Sequence, residues 1–319
     1  MPEGHAIHRL ALAFNELMVG HRLEVSSPQG RFADGARLLD GRRLTSTEAY
    51  GKHLLLWFDE LALHVHLGLY GSWTFDGAPT FSAPHAIGAP RRRVAEEEHT
   101  VAPAAGDRSA GLGEGATQPR ADGLGTETDE SDAPAWQPPE PRGQVRVRLL
   151  TEHGVADLSG PNQCAIIDVS EAAALRARLG PDPLRRDADP ERFIDAARAT
   201  RRPIGLVVMD QSVLAGAGNI YRAECLFRVG INPHRASART SRTRLRALWE
   251  DLSETMAEGV ETGRIETVPA GYRTWRGEPT EERRFVYQRD GLACLRCGGS
   301  VVLEEAAKRK LYRCVACQR

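Results

Sequence analysis

Residues 294–317 read CLRCGGSVVLEEAAKRKLYRCVAC and contain two Cys-x2-Cys pairs that are separated by 16 residues. Two such turns bring four thiolates to one tetrahedral metal ion, and this spacing is typical of a closed structural Zn²⁺ site. Binding of the metal would stabilise a segment that is too short to bury an apolar core of its own. Two disulfides or unrelated cysteines are the alternative. We therefore predict a zinc-finger β-hairpin over 283–319, with Zn²⁺ held by Cys294, Cys297, Cys314 and Cys317.

The expected turn of this hairpin carries basic side chains. Lys308, Arg309 and Lys310 lie there, and they include two of only three lysines in the chain. A basic tip is suited to contacts with phosphate, although a solvated charged turn has the same composition. The remaining lysine, Lys52, follows Gly51 at the start of an apolar strand. It is either an amine available for chemistry or a solvated side chain.

The charge of the chain is distributed unevenly. The 319 residues include 42 Lys and Arg against 43 Asp and Glu, and the resulting net charge of −1 argues against a nucleic-acid partner. However, residues 76–142 contain 12 acidic and 6 basic side chains, so the rest of the chain has a net charge of +5. Residues 76–142 are also poor in apolar side chains, which predicts a disordered acidic insertion. A nucleic-acid partner is therefore compatible with the rest of the chain.

Composition also argues against a membrane protein. No apolar run approaches the roughly 18 residues of a membrane span. The N-terminus lacks the basic and apolar regions of a signal peptide. Cysteines at metal-ligand spacing are typical of a reduced compartment, so we expect a cytoplasmic protein.

The periodicity of apolar residues predicts the order of helices and strands. Apolar side chains at helical spacing predict a first helix that ends at Gly20, and short strands follow up to residue 75. Alternation over 61–68 predicts a strand that is buried on one face. Strand alternation resumes at Val145, so the insertion interrupts a single β domain.

The remainder of the chain is predicted to be mostly helical. Helices are expected over 190–200, 203–212, 220–229 and 241–262. The fold class is therefore α+β. We predict three domains, which cover residues 2–172, 173–282 and 283–319.

The first residues, Met1-Pro2-Glu3-Gly4, have a chemical interpretation. Removal of Met1 ahead of the small Pro2 would leave a secondary amine, and α-amino groups titrate about two units below lysine. Such an amine can attack a sugar C1′ and form a Schiff base. The adjacent Glu3 could act as a general acid or base at the same centre. By itself a match this short is most simply a chance occurrence.

The stretch AGAGNI at 215–220 precedes one of the predicted helices. It lacks the Gly-Lys-Ser/Thr of a P-loop, and no strand leads into it as in a dinucleotide-binding turn. It can present backbone N–H groups and Asn219 at a helix N-terminus, where a phosphate would be well placed. An ordinary tight turn between helices is the alternative.

Taken together, these segments resemble the formamidopyrimidine-DNA glycosylase and endonuclease VIII family of base-excision repair enzymes. The resemblance is carried by MPEG at 1–4, GKHLLL at 51–56, HLGLYG at 66–71, DQSVLAGAGNIY at 210–221 and the cysteine finger. It covers the chain except for 76–142. It implies an N-terminal β-sandwich with a flanking helix, a helix–two-turns–helix domain and a C-terminal zinc-finger hairpin.

The resemblance also implies roles for the matching residues. Pro2 corresponds to the nucleophile that displaces a damaged base and holds C1′ as a Schiff base, and Glu3 corresponds to the adjacent proton donor. Lys52 corresponds to a lysine that contacts phosphate and assists β-elimination. Asn219 and Arg309 correspond to a clamp on the phosphates that flank the flipped nucleotide. The finger arginine is also credited with a part in δ-elimination.

Further DNA contacts are implied by the same resemblance. Leu69 and Tyr70 correspond to the loop that fills the gap left by the flipped base, with packing in the β core as the alternative. Lys308 and Lys310 flank Arg309 and are expected to contact DNA. The implied protein is a bifunctional glycosylase and lyase that acts as a monomer on damaged double-stranded DNA near the nucleoid. Its zinc stays away from the reaction.

Finer details indicate the branch of the family. Gly4, GHAIHRLA at 4–11 and the Leu-Tyr pair at 69–70 are similar to actinobacterial endonuclease VIII enzymes, which favours oxidised pyrimidines as substrates. Two departures bear on lesion preference: Ala6 stands where the family often has a carboxylate, and Gly68 stands where the enterobacterial wedge begins with Gln. A non-catalytic zinc-ribbon DNA-binding protein and a lesion-recognition protein that does not cut are the alternatives.

Overall fold

A computed structural model of the chain describes residues 2–82, 84–89 and 136–319. Buried apolar side chains form three larger clusters: one in the β-rich part, one among the helices, and one around the cysteines. Within the described ranges, no helix combines the length and the apolar content needed to cross a membrane.

The N-terminal part contains two antiparallel sheets and a helix around a common core. Its helices are α1 (Gly4–Leu17) and α2 (Ala33–Leu39). Its strands are β1 (Glu24–Ser26), β2 (Ser46–Tyr50), β3 (His53–Phe58), β4 (Leu61–His66), β5 (Ser72–Gly77), β6 (Ala86–Gly88), β7 (Val145–Leu150), β8 (Gly154–Ser159) and β9 (Gln163–Asp168). One sheet has the order β1-β7-β8-β5-β6 and the other the order β2-β3-β4-β9. Phe14 of α1 packs edge-on against Trp73, with 4.8 Å between the ring centroids.

Strand β4 is buried on both faces, so the prediction of one buried face over 61–68 is wrong. Leu63 and Val65 enter the main core. On the opposite face of the sheet, Ala62 and His64 are also buried. Alternation of apolar and polar residues therefore does not report how much of the second face another element covers.

Helix α3 (Val169–Ala177) is the element that covers this second face, and it was not predicted. Its Leu175 lies in one apolar cluster with Ala62. The helix begins with a capping box, in which Asp168 accepts the backbone N–H of Glu171 and the Glu171 carboxylate accepts that of Asp168. Cap residues and a short apolar stripe thus specify a helix that begins directly after β9.

The helical part is organised around a second core. Its helices are α4 (Pro190–Arg198), α5 (Ile204–Val207), α6 (Asn219–Arg228) and α7 (Arg242–Thr262). Asp189 caps α4 by accepting the backbone N–H of Glu191. The helix predicted over 203–212 is confined to α5, because the Asp210 carboxylate accepts the backbone N–H of Ser212 and favours a turn there.

The C-terminal hairpin is shorter than the predicted 283–319. Strands β10 (Val301–Ala306) and β11 (Arg309–Cys314) pair antiparallel, while residues 283–300 form turns and irregular structure. Ala307 and Lys308 connect the strands with φ angles of 51° and 60°. A two-residue turn with positive φ is typical of tight hairpins. Arg309 therefore begins β11 directly after the turn.

The segment predicted to be a disordered insertion, 76–142, is partly ordered. Strand β6 pairs with β5. Phe81 is buried so closely that a Cβ on Gly154 would lie 2.3 Å from its ring. The prediction is wrong for 76–82 and 84–89, and residues 83 and 90–135 lie outside the described residues. Strands β5 and β7, on either side of the segment, both pair with β8.

Candidate active site

Glu3 is fully buried and bonded to the N-terminus of helix α6. Its carboxylate accepts the backbone N–H of Gly218 at 2.8 Å, of Ile220 at 2.8 Å and of Tyr221 at 3.4 Å. A Cβ on Gly218 would lie 2.4 Å from the Glu3 carboxyl carbon, so only glycine fits there. The backbone groups that the sequence suggested for phosphate therefore hold the Glu3 carboxylate instead.

The residues beside Glu3 are fixed on the loop that precedes α6. Pro2 is buried. The Gly4 N–H donates to the Gly216 carbonyl oxygen at 2.9 Å. The Gly216 N–H in turn donates to the Gln211 side chain at 3.0 Å. The two backbones approach so closely here that a Cβ on Gly4 would lie 2.9 Å from the Gly216 Cα. The 210–221 motif thus holds the N-terminal segment at two places: Gly216 accepts from Gly4, and the backbone from Gly218 onward donates to Glu3.

Lys52 lies in the turn between β2 and β3 and is half-buried. Burial lowers the pKa of Lys52, the Glu3 carboxylate raises it, and Arg309 lowers it. The structure therefore places Lys52 within the electrostatic field of two other predicted site residues, which lie at opposite ends of the sequence. A lowered pKa increases the fraction of neutral amine, the form that can accept a proton.

Asn219 is the first residue of α6 and is buried. Its side-chain oxygen accepts a hydrogen bond from Arg222, one turn later on the helix. The same Arg222 nitrogen donates to the carbonyl oxygen of Lys310 on β11 at 2.7 Å. Asn219 is thereby connected through one guanidinium group to the finger hairpin.

The segment before the finger is anchored to α6 by Glu224. This fully buried carboxylate accepts the backbone N–H groups of Phe285 at 2.8 Å, Val286 at 2.8 Å and Tyr287 at 2.6 Å. Burial raises the pKa of Tyr287, and Glu3 raises it further, while a hydrogen bond with Asn219 is among the opposing influences. Tyr287 therefore belongs to the same region as Glu3 and Asn219.

Several of these residues were missed at the sequence level. Asp182 accepts the backbone N–H of Gly51, next to Lys52, while Arg222, Glu224 and Tyr287 border the predicted site as described above. One signal was available: Arg222 and Glu224 interrupt an otherwise apolar stretch within a predicted helix, and a charged residue there needs a buried partner.

The basic residues of the finger are exposed. Lys308 lies in the hairpin turn, and Arg309 and Lys310 follow it at the start of β11. The influence of Arg309 on the pKa values of Lys52 and Arg222 places its charge close to both. The positive charge of the hairpin therefore acts on the half-buried amine of Lys52.

Leu69 and Tyr70 lie in the turn between β4 and β5 and do not pack in the core. Their exposed fractions are 51% and 80%, so the alternative of β-core packing is wrong. Gly68 precedes them with a φ of +67°, in the left-handed region that favours glycine. The turn therefore presents two large apolar side chains to solvent.

The four finger cysteines meet in one cluster. Their Sγ atoms all lie within 4.8 Å of one another. The Cys294–Cys317 and Cys297–Cys314 sulfur pairs are 3.9 and 3.5 Å apart. A disulfide needs a separation of about 2.05 Å, whereas Zn–S bonds of about 2.3 Å in a tetrahedron place sulfurs roughly 3.8 Å apart. The donor set and its spacing therefore fit a single metal ion and exclude the two-disulfide alternative.

Three histidines lie side by side on the two strands that follow Lys52 in the chain: His53 on β3, and His64 and His66 on β4. The Nδ1 atom of His53 lies 2.9 Å from the Nε2 atom of His64, and the ring centroids of His53 and His66 are 5.0 Å apart. Burial lowers the pKa of His53 to about 3 and that of His64 to about 4. These two rings are consequently neutral near pH 7.

Comparison with known proteins assigns the chain to a family. Residues 1–105 match the formamidopyrimidine-DNA glycosylase N-terminal domain, and residues 179–269 match the formamidopyrimidine-DNA glycosylase H2TH domain. Endonuclease 8 1 of Mycobacterium tuberculosis (strain ATCC 25618 / H37Rv) is 37% identical over 321 aligned residues, which cover 100% of both chains. The chain belongs to the formamidopyrimidine-DNA glycosylase and endonuclease VIII family. The predicted family of DNA-repair glycosylases is thus confirmed.

Some relatives match only part of the sequence, whereas solved structures match the whole fold. The formamidopyrimidine-DNA glycosylase of Syntrophotalea carbinolica is 34% identical over 151 residues, which is 47% of this chain and 55% of that protein. Among solved structures, Fpg of Lactococcus lactis in complex with abasic-site DNA has a TM-score of 0.68 at 17% identity, with 99% of each chain covered. The MutM (Fpg) protein of Thermus thermophilus has a TM-score of 0.65 at 22% identity, covering 99% of this chain and 98% of that one. These structural likenesses confirm the predicted α+β fold class.

Proposed function

We propose that this family member is a bifunctional DNA glycosylase and abasic-site lyase that removes oxidised bases, chiefly pyrimidines, from double-stranded DNA. The observation that carries the proposal is the burial of Glu3, which follows Pro2 in the chain, on the N-terminus of the helix that begins with Asn219. The charges of Glu3 and Arg309 both act on the pKa of Lys52. An amine nucleophile, a carboxylate and phosphate-binding groups are the set that this chemistry requires. Full-length similarity to a protein named Endonuclease 8 1 supports the pyrimidine branch.

The first chemical step uses the amine of Pro2, once Met1 has been removed. The Pro2 nitrogen attacks C1′, the bond from C1′ to the base breaks, and the base leaves with a proton that Glu3 is placed to deliver. The Glu3 carboxylate takes the proton from the Pro2 nitrogen and passes it to O4′ as the C1′–O4′ bond breaks, which gives the ring-opened iminium ion, the Schiff base. Burial of Glu3 and its three backbone hydrogen bonds hold the carboxyl group beside this centre.

Strand cleavage follows from the iminium ion. Removal of a C2′ proton breaks the C3′–O bond and releases the 3′ phosphate, and a second elimination releases the 5′ phosphate. Lys52 is suited to the first proton transfer because burial lowers the pKa of its amine. Arg309, next to it, is placed to neutralise the departing phosphates. Water then hydrolyses the remaining iminium ion and frees Pro2.

DNA contacts in the proposal come from three features of the surface. Asn219 and Arg309 clamp phosphates beside the flipped nucleotide, with Lys308 and Lys310 adding charge on the finger. Leu69 and Tyr70 replace the flipped base in the stack, for which their exposure on a tight turn is suited. Unstacking costs a few kcal/mol, and less at a damaged pair, which contributes to selectivity.

The proposed metal is one structural Zn²⁺ per chain, held by the four finger cysteines. Four sulfur donors favour Zn²⁺ and leave no position for a substrate or water. The ion would stabilise the hairpin that carries Arg309 and would supply no reacting group. We further propose a monomer that works in the cytoplasm on nucleoid DNA.

Trapping of the Schiff base tests the proposal. Protein with a free Pro2 amine is incubated with a duplex that contains an abasic site, in the presence of sodium borohydride. We expect a covalent adduct that disappears when Met1 is retained or Pro2 is replaced. Absence of any adduct from correctly processed protein would contradict the lyase proposal and favour a non-catalytic DNA-binding protein. A panel of duplexes with defined oxidised pyrimidines and purines tests the lesion preference.

The phosphate clamp is tested by the salt dependence of binding. Arg309→Ala should weaken binding to damaged duplex and reduce the slope of log affinity against log salt by about one phosphate contact. Arg37→Ala is a matched control, since this exposed arginine lies on α2 and pairs with Asp34. An unchanged slope for Arg309→Ala would count against the clamp.

A further inference from the structure

Arg222 is a deeply buried arginine whose charge is not matched by a carboxylate. It is 1% exposed, and among the described residues no carboxylate oxygen lies within 4 Å of its guanidinium group. Other arginines in similar surroundings are paired: Arg148 with Asp157 and Arg228 with Asp251. Burial of an unpaired charge is costly, so such a residue is retained where its contacts serve a purpose.

The contacts of Arg222 join two elements of the site. Its Nη2 atom donates to the Asn219 side-chain oxygen and, at 2.7 Å, to the Lys310 carbonyl oxygen. Its Nε atom is buried without a partner among the described residues. Burial and the neighbouring Arg309 lower the pKa of Arg222 to about 10, which still leaves the group charged at neutral pH. A buried positive charge therefore lies directly behind the two residues assigned to the phosphate clamp.

The side-chain amide of Asn219 can face a ligand in two ways. Its oxygen only accepts and its NH₂ group only donates, whereas the oxygens of a phosphate diester only accept. An asparagine that binds phosphate must therefore direct its nitrogen toward the ligand. Arg222, a pure donor, occupies the oxygen of Asn219, so the NH₂ group, which also meets Tyr287, keeps one proton to donate to a ligand.

We infer that Arg222 is a positioning residue, which orients the Asn219 amide to donate to a DNA phosphate and holds β11 so that Arg309 reaches the same backbone. This role rests on the phosphate clamp of the proposed function. Both bonds come from Nη2 at the end of the long arginine side chain, a position that the ammonium group of the shorter lysine side chain does not reach in the same geometry. Arg222 acts through these neighbours and does not touch the substrate.

The test compares Arg222→Lys, Arg222→Gln and Asn219→Ala, together with the double variant Arg222→Lys/Asn219→Ala. Affinity is measured on a duplex with a tetrahydrofuran abasic-site analogue, and the borohydride adduct is followed at saturating abasic-site DNA. We expect Arg222→Lys to weaken binding about tenfold although its charge is kept. At saturating DNA the rate of adduct formation should change less than about twofold, because the clamp acts on binding.

Non-additivity distinguishes action through Asn219 from a separate effect. In protein that already carries Asn219→Ala, one of the two partners of Arg222 is gone. The further loss of DNA affinity caused by Arg222→Lys should therefore be smaller by about threefold or more than in the unmodified protein. Arg228→Lys is the matched control on the same helix. This residue pairs with Asp251, away from the clamp, so its variant should lower the melting temperature and keep the affinity for DNA.

Different failures have different meanings. If Arg222→Lys binds as tightly as the unmodified protein, or if the two substitutions are additive, the positioning role is wrong while the clamp stands. If Asn219→Ala itself keeps full affinity, the clamp of the proposed function is wrong and the role of Arg222 fails with it. Should Arg222→Gln fail to fold, the Arg222→Lys comparison carries the test.

Discussion

The carboxylate of Asp182 accepts a hydrogen bond of 2.7 Å from the backbone N–H of Gly51. The same oxygen lies 2.7 Å from His8 Nε2, and the other oxygen accepts the backbone N–H of Leu184 at 3.0 Å. Asp182 is fully buried in the segment that connects the β-rich and helical parts. The turn that carries Lys52 is thus held by the connecting segment and by the first helix together.

Asp182→Asn should destabilise the protein and slow strand cleavage. The amide NH₂ group would face a donor in place of a carboxylate oxygen, which costs roughly 1–3 kcal/mol for a buried group. Lys52 would lose its fixed position, so we expect slower β-elimination on a preformed abasic site. Urea denaturation and single-turnover cleavage measure the two effects. Asp189→Asn, at the exposed cap of α4, is the control and should leave cleavage unchanged. Normal cleavage by Asp182→Asn would contradict this view of the turn.

Glu3→Gln should separate base removal from strand cleavage. The NH₂ group of glutamine would replace one carboxylate oxygen and meet one or two of the three backbone N–H groups that the carboxylate now accepts, and it cannot deliver a proton as a carboxylic acid does. We expect base excision to fall by about 10²–10⁴-fold, with a smaller loss of borohydride trapping on a preformed abasic site. Glu16→Gln, at an exposed position of α1, the helix that begins directly after Glu3, is the control. Equal losses in both assays would argue that Glu3 only maintains the fold.

The sequence is informative about the residues that we propose to react or bind metal, and less so about the residues that hold them in place. Short motifs identified Glu3, Lys52 and Asn219 because each has a chemical type that is unusual in its setting. Asp182 lies in a segment whose composition predicts a linker, and its partners His8 and Gly51 lie in distant segments. A buried hydrogen-bond partner from a distant segment leaves no local pattern to detect. For the same reason the second covered face of β4 could not be predicted.

Stability should fall in mild acid because of the histidines beside Lys52. Burial, followed by the charges of His66 and Arg178, lowers the pKa of His64 to about 4, against about 6.5 in the unfolded chain. As the pH falls from 6.5 toward 4, the unfolded chain gains a proton that the folded chain does not, so the free energy of unfolding decreases. The free energy of unfolding recovers this contribution in full as the pH rises above 6.5.

This pH dependence can be assigned by substitution. Between pH 7 and pH 5, the unmodified protein should lose about 2 kcal/mol more unfolding free energy than His64→Gln, measured by urea denaturation. His21→Gln, at an exposed histidine outside the cluster, should keep the steeper dependence. Identical pH dependence in His64→Gln and unmodified protein would show that His64 is not a buried neutral group.

Removal of the metal should affect DNA binding before it affects the β-rich core. The cysteine cluster packs with Phe227 and Phe285 in its own apolar core, separate from that of α1 and the sheets. We expect one Zn²⁺ per chain by metal analysis, and chelation or Cys297→Ser should lower affinity for damaged duplex by at least about tenfold, because Arg309 loses its support. Cys164→Ser, at a half-buried cysteine of β9, is the control. Full affinity in metal-free protein would contradict a structural role.

The hydrogen bond between Glu3 and Gly218 joins residues that are 215 positions apart. During translation, the Pro2 amine, the Glu3 carboxylate and Lys52 are therefore synthesised long before helix α6, which binds the Glu3 carboxylate. A nascent or prematurely terminated chain that lacks α6 carries reactive groups without a place to use them. Under the proposed function, the ability to cut DNA would therefore arise only near the end of translation, when the last third of the polypeptide has emerged and folded against the first few residues.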